Sequence, residues 1–189
     1  MTAPTRRAPV QRRSAVRVER MLDAAAGLLD EVGQEGLTTS AIAARAGVSV
    51  GSLYQFFPDK HAVTQSLARR SFERFSAGLI EVTDRDWPTV VDRVIDTYVD
   101  FARTEPGFRV LSFGGPLRLL DPVDENNAVV AAAVGGLVDD QIPPLVLRLA
   151  VEIADAVLAL AFRADPAGDP ELVAEAKTAV KAYLGARLS

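Results

Sequence analysis

The sequence contains no cysteine and a single histidine among its 189 residues. The absence of cysteine excludes disulfides, zinc–thiolate sites and cysteine nucleophiles. The one histidine, His61, excludes a multi-histidine metal site and argues against a serine–histidine triad. We therefore expect neither a metal nor another cofactor. The longest uninterrupted apolar run, residues 128–138, is far shorter than the about 20 residues that cross a bilayer.

The composition is that of an ordinary folded protein. Hydrophobic residues make up 49% of the chain and charged residues 24%, which excludes a disordered chain. The length suits one compact domain or two small ones that share a core. No apolar signal segment follows the charged N-terminus, so we expect a cytoplasmic protein without a membrane partner.

Charge is distributed unevenly along the chain. The formal net charge is −4, but residues 1–80 hold eleven lysines and arginines against seven acids, whereas residues 81–189 hold ten against eighteen. A basic segment ahead of an acidic body is typical of a protein that contacts nucleic acid at one end. We interpret residues 1–13 as a flexible basic arm. For residues 1–10 taken alone, a solvated tail without a partner is an equally good interpretation.

Apolar residues recur at helical spacing through most of the chain, and no stretch alternates for long enough to predict a strand. Ser14, Asp86 and Asp169 are predicted to cap helices, and Gly33 is predicted to end one. The predicted fold class is therefore all-α, with about nine helices. Their predicted ranges are 14–32, 39–46, 50–57, 59–80, 87–104, 106–114, 122–138, 143–164 and 169–187.

The stretch from Thr39 to Lys60 has the pattern of a helix-turn-helix. Small and apolar residues share one face of its first helix, which lets a second helix cross closely. Gly47 follows where a chain that leaves a helix needs a left-handed residue, and Ser49 can cap the second helix. The apolar residues predicted to anchor the second helix against the first are Leu53 and Phe56.

The outward positions of the second helix are small or able to form hydrogen bonds, as expected of a helix in a major groove. A plain helical hairpin inside a bundle is the alternative, because any two packed helices need small residues where they cross. The number of matched positions and the basic N-terminus favour DNA binding. The outward residues are Val50, Gly51, Ser52, Tyr54 and Gln55.

The run from Leu37 to Val63 resembles the DNA-binding region of TetR-like (tetracycline-repressor-like) transcriptional regulators. Close resemblance extends over about residues 14–70, and beyond them only the helical architecture matches. It implies a three-helix DNA-binding domain at 14–58 and a helical effector-binding and dimerisation domain at 59–189. The residues that carry the resemblance are Leu37-Thr38-Thr39, Ile42-Ala43, Gly47-Val48-Ser49, Leu53-Tyr54, Phe57 and Lys60.

The resemblance also implies which residues contact DNA. Thr39, Tyr54 and Lys60 would contact phosphates. Gln55 can pair with adenine, and Val50 can meet a thymine methyl group. Glycine at position 51 has no side chain and allows only a close approach of the backbone. The complete set of predicted DNA-binding residues is Thr39, Ser40, Ser49, Val50, Gly51, Ser52, Tyr54, Gln55 and Lys60.

In the second domain the resemblance implies a homodimer and an effector pocket. The dimer would form through a four-helix bundle of the helices near 143–164 and 169–187 from each subunit. An ordinary core pair within one subunit is the alternative. The effector would be small and largely apolar, although aromatic residues at helical spacing are more often core than pocket. The residues predicted to line the pocket are Trp87, Tyr98, Phe101, Phe108 and Phe113.

These features predict a ligand-responsive, sequence-specific DNA-binding regulator, a repressor that its effector releases from a palindromic operator. Arg12 and Arg13 lie outside the motif, and their entry into a flanking minor groove is a separate hypothesis. One alternative is a small helical hydrolase or isomerase that uses carboxylates such as those of Asp96, Asp100 or Glu152. Asp92, Asp96 and Asp100 share a helix face, although a solvated acidic face is the simpler interpretation. Another alternative is a protein-interaction module. No nucleophile–base pair is evident, so we do not expect an enzyme.

Overall fold

The structure, a computed structural model, describes residues 8–79, 85–113, 130–138 and 142–188. Within these ranges it describes all side chains except those of residues 8–12, 112 and 113. The described residues form helices and turns and no strand, which confirms the all-α prediction. Among the helices that they form, none is both long and apolar enough to cross a membrane.

Nine helices follow one another in the described parts of the chain. The bounds of most lie within about two residues of the predicted ranges, and the first and third helices differ more. Gly33 interrupts the first of them with φ of 67°, at the predicted stop. Residues 122–129, also predicted to be helical, lie outside the described residues. The helices are α1 Ala8–Gly36, α2 Thr39–Ala46, α3 Val50–Tyr54, α4 Lys60–Leu79, α5 Trp87–Thr104, α6 Phe108–Phe113, α7 130–135, α8 Pro144–Ala164 and α9 Pro170–Leu188.

Helix α1 begins at Ala8 and not at Ser14. The predicted flexible arm is therefore wrong for residues 8–13, and residues 1–7 lie outside the described residues. The physical reason is that this segment contains good helix formers, and Pro9 falls in the first turn, where a missing N–H leaves no hydrogen bond unmade. Ser14 consequently lies inside the helix and does not cap it.

The chain forms two compact units, Met1–Arg69 and Arg70–Ser189, and the division falls inside α4. The predicted boundary, between residues 58 and 59, falls earlier, where α4 begins. Helix α4 supplies core residues on both sides of the division, since Leu67 is buried in the first unit and Phe75 in the second.

The first unit packs α1, α2, α3 and the start of α4 around one apolar core. Phe57, and not the predicted Phe56, is the second apolar anchor of α3. The reason is that α3 ends at Tyr54, and the Phe57 N–H then donates to the Leu53 carbonyl at 2.9 Å. The largest fully buried side chains of this unit are Met21, Leu29, Leu37, Ile42, Leu53, Val63 and Leu67.

The second unit is built mainly on α5, α8 and α9. Two of the predicted caps are confirmed here. The carboxylate of Asp86 accepts a hydrogen bond from the Thr89 N–H at 3.1 Å, and that of Asp169 accepts one from the Leu172 N–H at 3.0 Å. Hydrogen bonds from the side chain and backbone of Thr89 hold the pKa of Asp86 below its usual value. Both caps fix where a helix begins.

Candidate DNA interface and effector region

The turn between α2 and α3 has the geometry of a helix-turn-helix. Gly47 ends α2 in the left-handed conformation, with φ of 64° and ψ of 40°. Its N–H donates to the Ala44 carbonyl at 3.2 Å, and the Val48 N–H donates to the Ala43 carbonyl at 3.0 Å. The Ser49 hydroxyl then accepts a hydrogen bond from the Ser52 N–H at 3.1 Å and begins α3, as predicted.

Two arginines hold the first and second helices in place. Arg20 of α1 donates to the Ala46 carbonyl at 2.5 Å, so its charge lies at the negative end of α2. Arg45 of α2 donates two hydrogen bonds, of 2.8 and 2.6 Å, to the Glu31 carboxylate of α1. This hydrogen bonding holds the pKa of Glu31 below, and that of Arg45 above, its usual value. Neither role is predictable from the local sequence, because the partners are distant along the chain.

The structure brings two of the predicted phosphate-contacting residues together. The Thr39 and Tyr54 hydroxyls lie 3.2 Å apart, and the Tyr54 side chain is 51% exposed. Lys60 is also exposed, and its Nζ lies 3.3 Å from the Leu37 carbonyl and 3.4 Å from the Gln34 carbonyl. A lysine ammonium has three donors, so these contacts leave it able to meet a phosphate.

Of the residues predicted to face base edges, Val50, Gly51 and Ser52 lie on α3, Gln55 directly follows it and Ser40 lies on α2. Val50 is 38% exposed, and Ser40 and Gln55 are also exposed. Gln55 lies just past the last residue of α3, at its C-cap, and not within the predicted longer helix. The Ser52 hydroxyl is half-buried and lies 2.9 Å from that of Ser49. These two serines therefore hydrogen-bond to each other, and Ser49 also caps the helix.

Gly51 is a glycine that the fold itself does not require. A Cβ atom added there would have no neighbour within 4 Å. Its φ is not positive either, because the glycines with positive φ in the described residues are Gly33, Gly47, Gly107 and Gly168. Glycine costs about 1 kcal/mol relative to alanine inside a helix, so the free protein gains nothing from it.

His61, the one histidine, lies on the exposed surface of α4. Its Nε2 is 3.0 Å from the side-chain amide nitrogen of Gln65, one turn later. The described residues contain no group of three or more histidines, cysteines and acids that could hold a metal ion. Nothing in this arrangement points to a catalytic role for His61.

Three of the five predicted effector-binding residues form one aromatic cluster with Phe75. The Phe101 and Phe108 rings have centroids 4.8 Å apart, and Tyr98 packs edge-on against Phe108 at 5.4 Å and against Phe75 at 5.5 Å. Trp87 lies instead against α9, with its Cη2 at 3.8 Å from where a Cβ of Gly185 would be. The remaining predicted residue, Phe113, has its side chain outside the described part.

A buried hydroxyl lies one turn before Phe75 on α4. Ser71 is fully buried, and its Oγ has no hydrogen-bond partner among the described residues. The Ser76 Oγ, beside Phe75 in the chain, is likewise buried and without a partner among them. An unpaired buried hydroxyl costs stability and calls for an explanation. The sequence signal for this site is a serine one helical turn from both Leu67 and Phe75.

Helix α8 has one buried and one exposed apolar face. Leu147, Leu158 and Phe162 are buried in the core of the second unit. In contrast, Leu145 and Leu149, which belong to the apolar stripe that the sequence predicts along this helix for the dimer interface, are 67% and 42% exposed. For α9 the sequence predicts an interface seam of Leu172, Ala176, Ala179, Val180, Tyr183 and Leu188. Four of these residues belong to or pack against the core of the same unit: Ala176, Val180, Tyr183 and Leu188.

The acidic face of α5 is paired with cations. Lys181 of α9 lies 2.6 Å from the carboxylate of Asp92, and Lys177 lies 2.6 Å from that of Asp96. Asp100 pairs with an arginine of its own helix at 3.4 Å. The first two pairs join α5 to α9, which gives these carboxylates a structural role.

Known proteins resemble the chain over both units. One, a TetR-family transcriptional regulator from Streptomyces coelicolor with a solved structure, is 37% identical, with 89% of this chain and 98% of that chain covered and a TM-score of 0.76. The nucleoid occlusion factor SlmA of Actinobacillus pleuropneumoniae serotype 5b (strain L20) is 34% identical over 125 residues, which cover 64% of this chain and 60% of SlmA.

A shorter match is the HTH-type transcriptional repressor KstR of Mycolicibacterium smegmatis, 41% identical over 61 residues, or 32% of this chain and 30% of KstR. The matched part of the chain thus spans less than two thirds of either curated relative. Family models cover more. Residues 21–67 match the model for bacterial regulatory proteins of the tetR family, and residues 85–188 match the tetracyclin repressor-like C-terminal domain. The chain therefore belongs to the TetR family of bacterial DNA-binding transcriptional regulators.

Proposed function

We propose that this protein is a repressor that binds a palindromic operator as a homodimer and leaves it when a small, largely apolar effector binds. The helix-turn-helix at residues 39–55, with α3 exposed along its outward face, is the observation that carries the proposal. The match to KstR, which is named a repressor, supports the sign of regulation. A repressor of this kind is not an enzyme, and it acts in the cytoplasm, where bacterial DNA lies.

The DNA-binding residues divide into two groups by their chemistry. Hydroxyls and an ammonium at Thr39, Tyr54 and Lys60 suit phosphates, which position a protein without reading sequence. The Gln55 amide and the Val50 side chain suit base edges in the major groove. Helix α3 contains neither lysine nor arginine, so we infer that affinity depends on charged groups outside it that contact phosphates.

Replacing Gln55 by alanine is expected to relax sequence preference at one operator position, because only the base-reading amide is lost. Replacing Tyr54 by phenylalanine is expected to weaken binding to all DNA sequences by the same factor, since the lost hydroxyl contacts a phosphate. The measurement is selection from a randomised duplex library with each variant, followed by affinities for the enriched and scrambled sites. A uniform loss for the Gln55 variant would contradict its base-reading role.

The exposed face of α8 supports dimerisation in the second unit. Leu145, Leu149 and Leu160 are leucines of one helix that remain 42–67% exposed in the single chain, and exposed leucines that share a face are typical of an interface. A helix-turn-helix protein that reads a palindrome needs two copies about 34 Å apart. We propose that α8 forms the centre of the dimer, with α9 contributing its half-buried residues.

We propose that the effector binds beside Phe75, Tyr98, Phe101 and Phe108. The rings offer an apolar surface, and the unpaired hydroxyl of Ser71 offers one hydrogen bond to a polar group of the ligand. Helix α4 carries Ser71 and Phe75 and also begins in the first unit. A ligand that shifts α4 would therefore change the spacing of the two recognition helices in the dimer.

Replacing Ser71 by alanine is expected to raise the free energy of unfolding without effector by about 1 kcal/mol, because a buried unpaired hydroxyl is removed. The same change is expected to weaken release from DNA by any effector that uses this hydroxyl. Thermal unfolding and DNA release measure the two effects. Ser66→Ala, in the same helix, is the matched control for helix propensity alone. A destabilised Ser71 variant would contradict an unpaired hydroxyl at this position.

A further inference from the structure

The N-terminal turns of α1 present a row of arginines on one face. Arg13, Arg17 and Arg20 are all exposed, and at 100° per residue they lie within about 60° of one another around the helix. Arg20 contacts the carbonyl of Ala46, the last residue of α2 before the turn to α3. The arginine face of α1 therefore lies, at Arg20, next to this turn. The row therefore leads away from the helix-turn-helix along α1.

The outer two arginines of this row have no counter-charge among the residues whose side chains are described. No hydrogen bond or ion pair joins Arg13 or Arg17 to any of them. Arg20 and Arg45, in the same unit, are in contrast engaged by a carbonyl and a carboxylate. Exposed guanidinium groups without a protein partner remain available to bind phosphate oxygens, often with two hydrogen bonds each.

We propose that Arg13 and Arg17 form a second DNA contact, a rigid helical surface that binds the phosphodiester backbone beside the site read by α3. This inference rests on the proposed function. The two residues are separated by one helical turn, about 6 Å along the axis, and Arg13 lies about 10 Å beyond Arg20. The ligand is the phosphate backbone of duplex DNA, whatever its sequence.

The helical conformation decides how this contact is made. An arm of extended chain can enter a minor groove, but a helix with side chains is about 10–12 Å wide and the minor groove only about 6 Å. Because α1 is helical from Ala8, its arginines meet phosphates at the groove edge and do not read bases. The contact therefore raises affinity for every sequence equally.

The test compares the full-length protein with Arg13→Gln/Arg17→Gln on a fluorescently labelled duplex of random sequence, across a series of potassium chloride concentrations. Each lost phosphate contact is expected to reduce the slope of log affinity against log salt by about 0.9, so the double variant reduces it by about 1.8. Glutamine is nearly as good a helix former as arginine, and circular dichroism checks that α1 is intact.

A matched control removes two positive charges from the second unit, as Arg163→Gln/Arg187→Gln, and is expected to leave the slope unchanged. An unchanged slope for the Arg13/Arg17 variant, or an equal change in the control, would overturn the inference while leaving DNA binding itself intact. If the unaltered protein failed to bind duplex DNA at every salt concentration tested, the proposed function would fail instead. A loss confined to one DNA sequence would indicate base reading and contradict the phosphate contact.

Discussion

Replacing Leu145 and Leu149 by glutamate is expected to convert the protein from dimer to monomer and to lower operator affinity by about 100-fold or more. Each exposed leucine that becomes buried in an interface contributes about 1.5–3 kcal/mol, and a carboxylate in its place must be desolvated. A monomer binds one half-site and loses the gain of about 100-fold or more that linkage to the second provides. Sedimentation velocity and fluorescence anisotropy measure the two effects.

The control for this prediction introduces two glutamates on α9 instead of α8, on the face of α9 that is opposite its predicted seam. Ala174 and Thr178 are exposed and lie opposite the predicted seam. Ala174→Glu/Thr178→Glu is expected to leave the dimer and its operator affinity unchanged. A Leu145/Leu149 variant that remained dimeric would show that α8 is not the interface. Dimer loss with full operator affinity would contradict the two-half-site mechanism.

Replacing Gly51 by leucine is expected to weaken operator binding by about 100-fold while leaving the fold intact. The Cβ would meet no atom within 4 Å in the free protein, and leucine favours a helix more than glycine does. The thermal midpoint is therefore expected to stay or rise. On DNA the side chain would occupy the space that the backbone of α3 needs, so affinity is expected to fall by about 100-fold, or about 3 kcal/mol.

Ala15→Leu is the matched control for the glycine, because Ala15 is exposed on the face of α1 away from its arginines. It is expected to change neither the thermal midpoint nor DNA affinity. Full operator binding by the Gly51 variant would mean that the backbone at this position stays away from the groove. A lowered thermal midpoint would mean instead that the glycine serves the fold.

Local signals in the sequence predicted the parts of the fold that local chemistry controls. Gly47 has the left-handed conformation that its position after α2 requires, and Ser49, Asp86 and Asp169 cap the helices that they were predicted to cap. In each case the residue satisfies backbone groups within a few positions of itself. Helix bounds and the turn of the candidate DNA site were therefore predictable from one sequence.

Contacts between residues distant along the chain were not predictable in this way. Arg20 was interpreted only as part of a basic segment, although it caps α2 from 26 residues away. Phe56 and Phe57 are neighbours of equal hydrophobicity. Phe57 is the one buried in the core, because α3 ends at Tyr54 and the chain leaves the helical path before both of them. Trp87 is aromatic like Phe101, but only packing in three dimensions separates it from the ring cluster.

We propose above that this chain is a dimer that reads a palindromic operator through α3. The decisive experiment is selection of bound fragments from sheared DNA of the source organism, sequenced after binding at low and at raised salt. We expect enrichment of one palindromic sequence whose half-sites are about one DNA turn apart, with an affinity that falls steeply as salt rises. Absence of any enriched sequence, with no DNA retained even at low salt, would contradict the account.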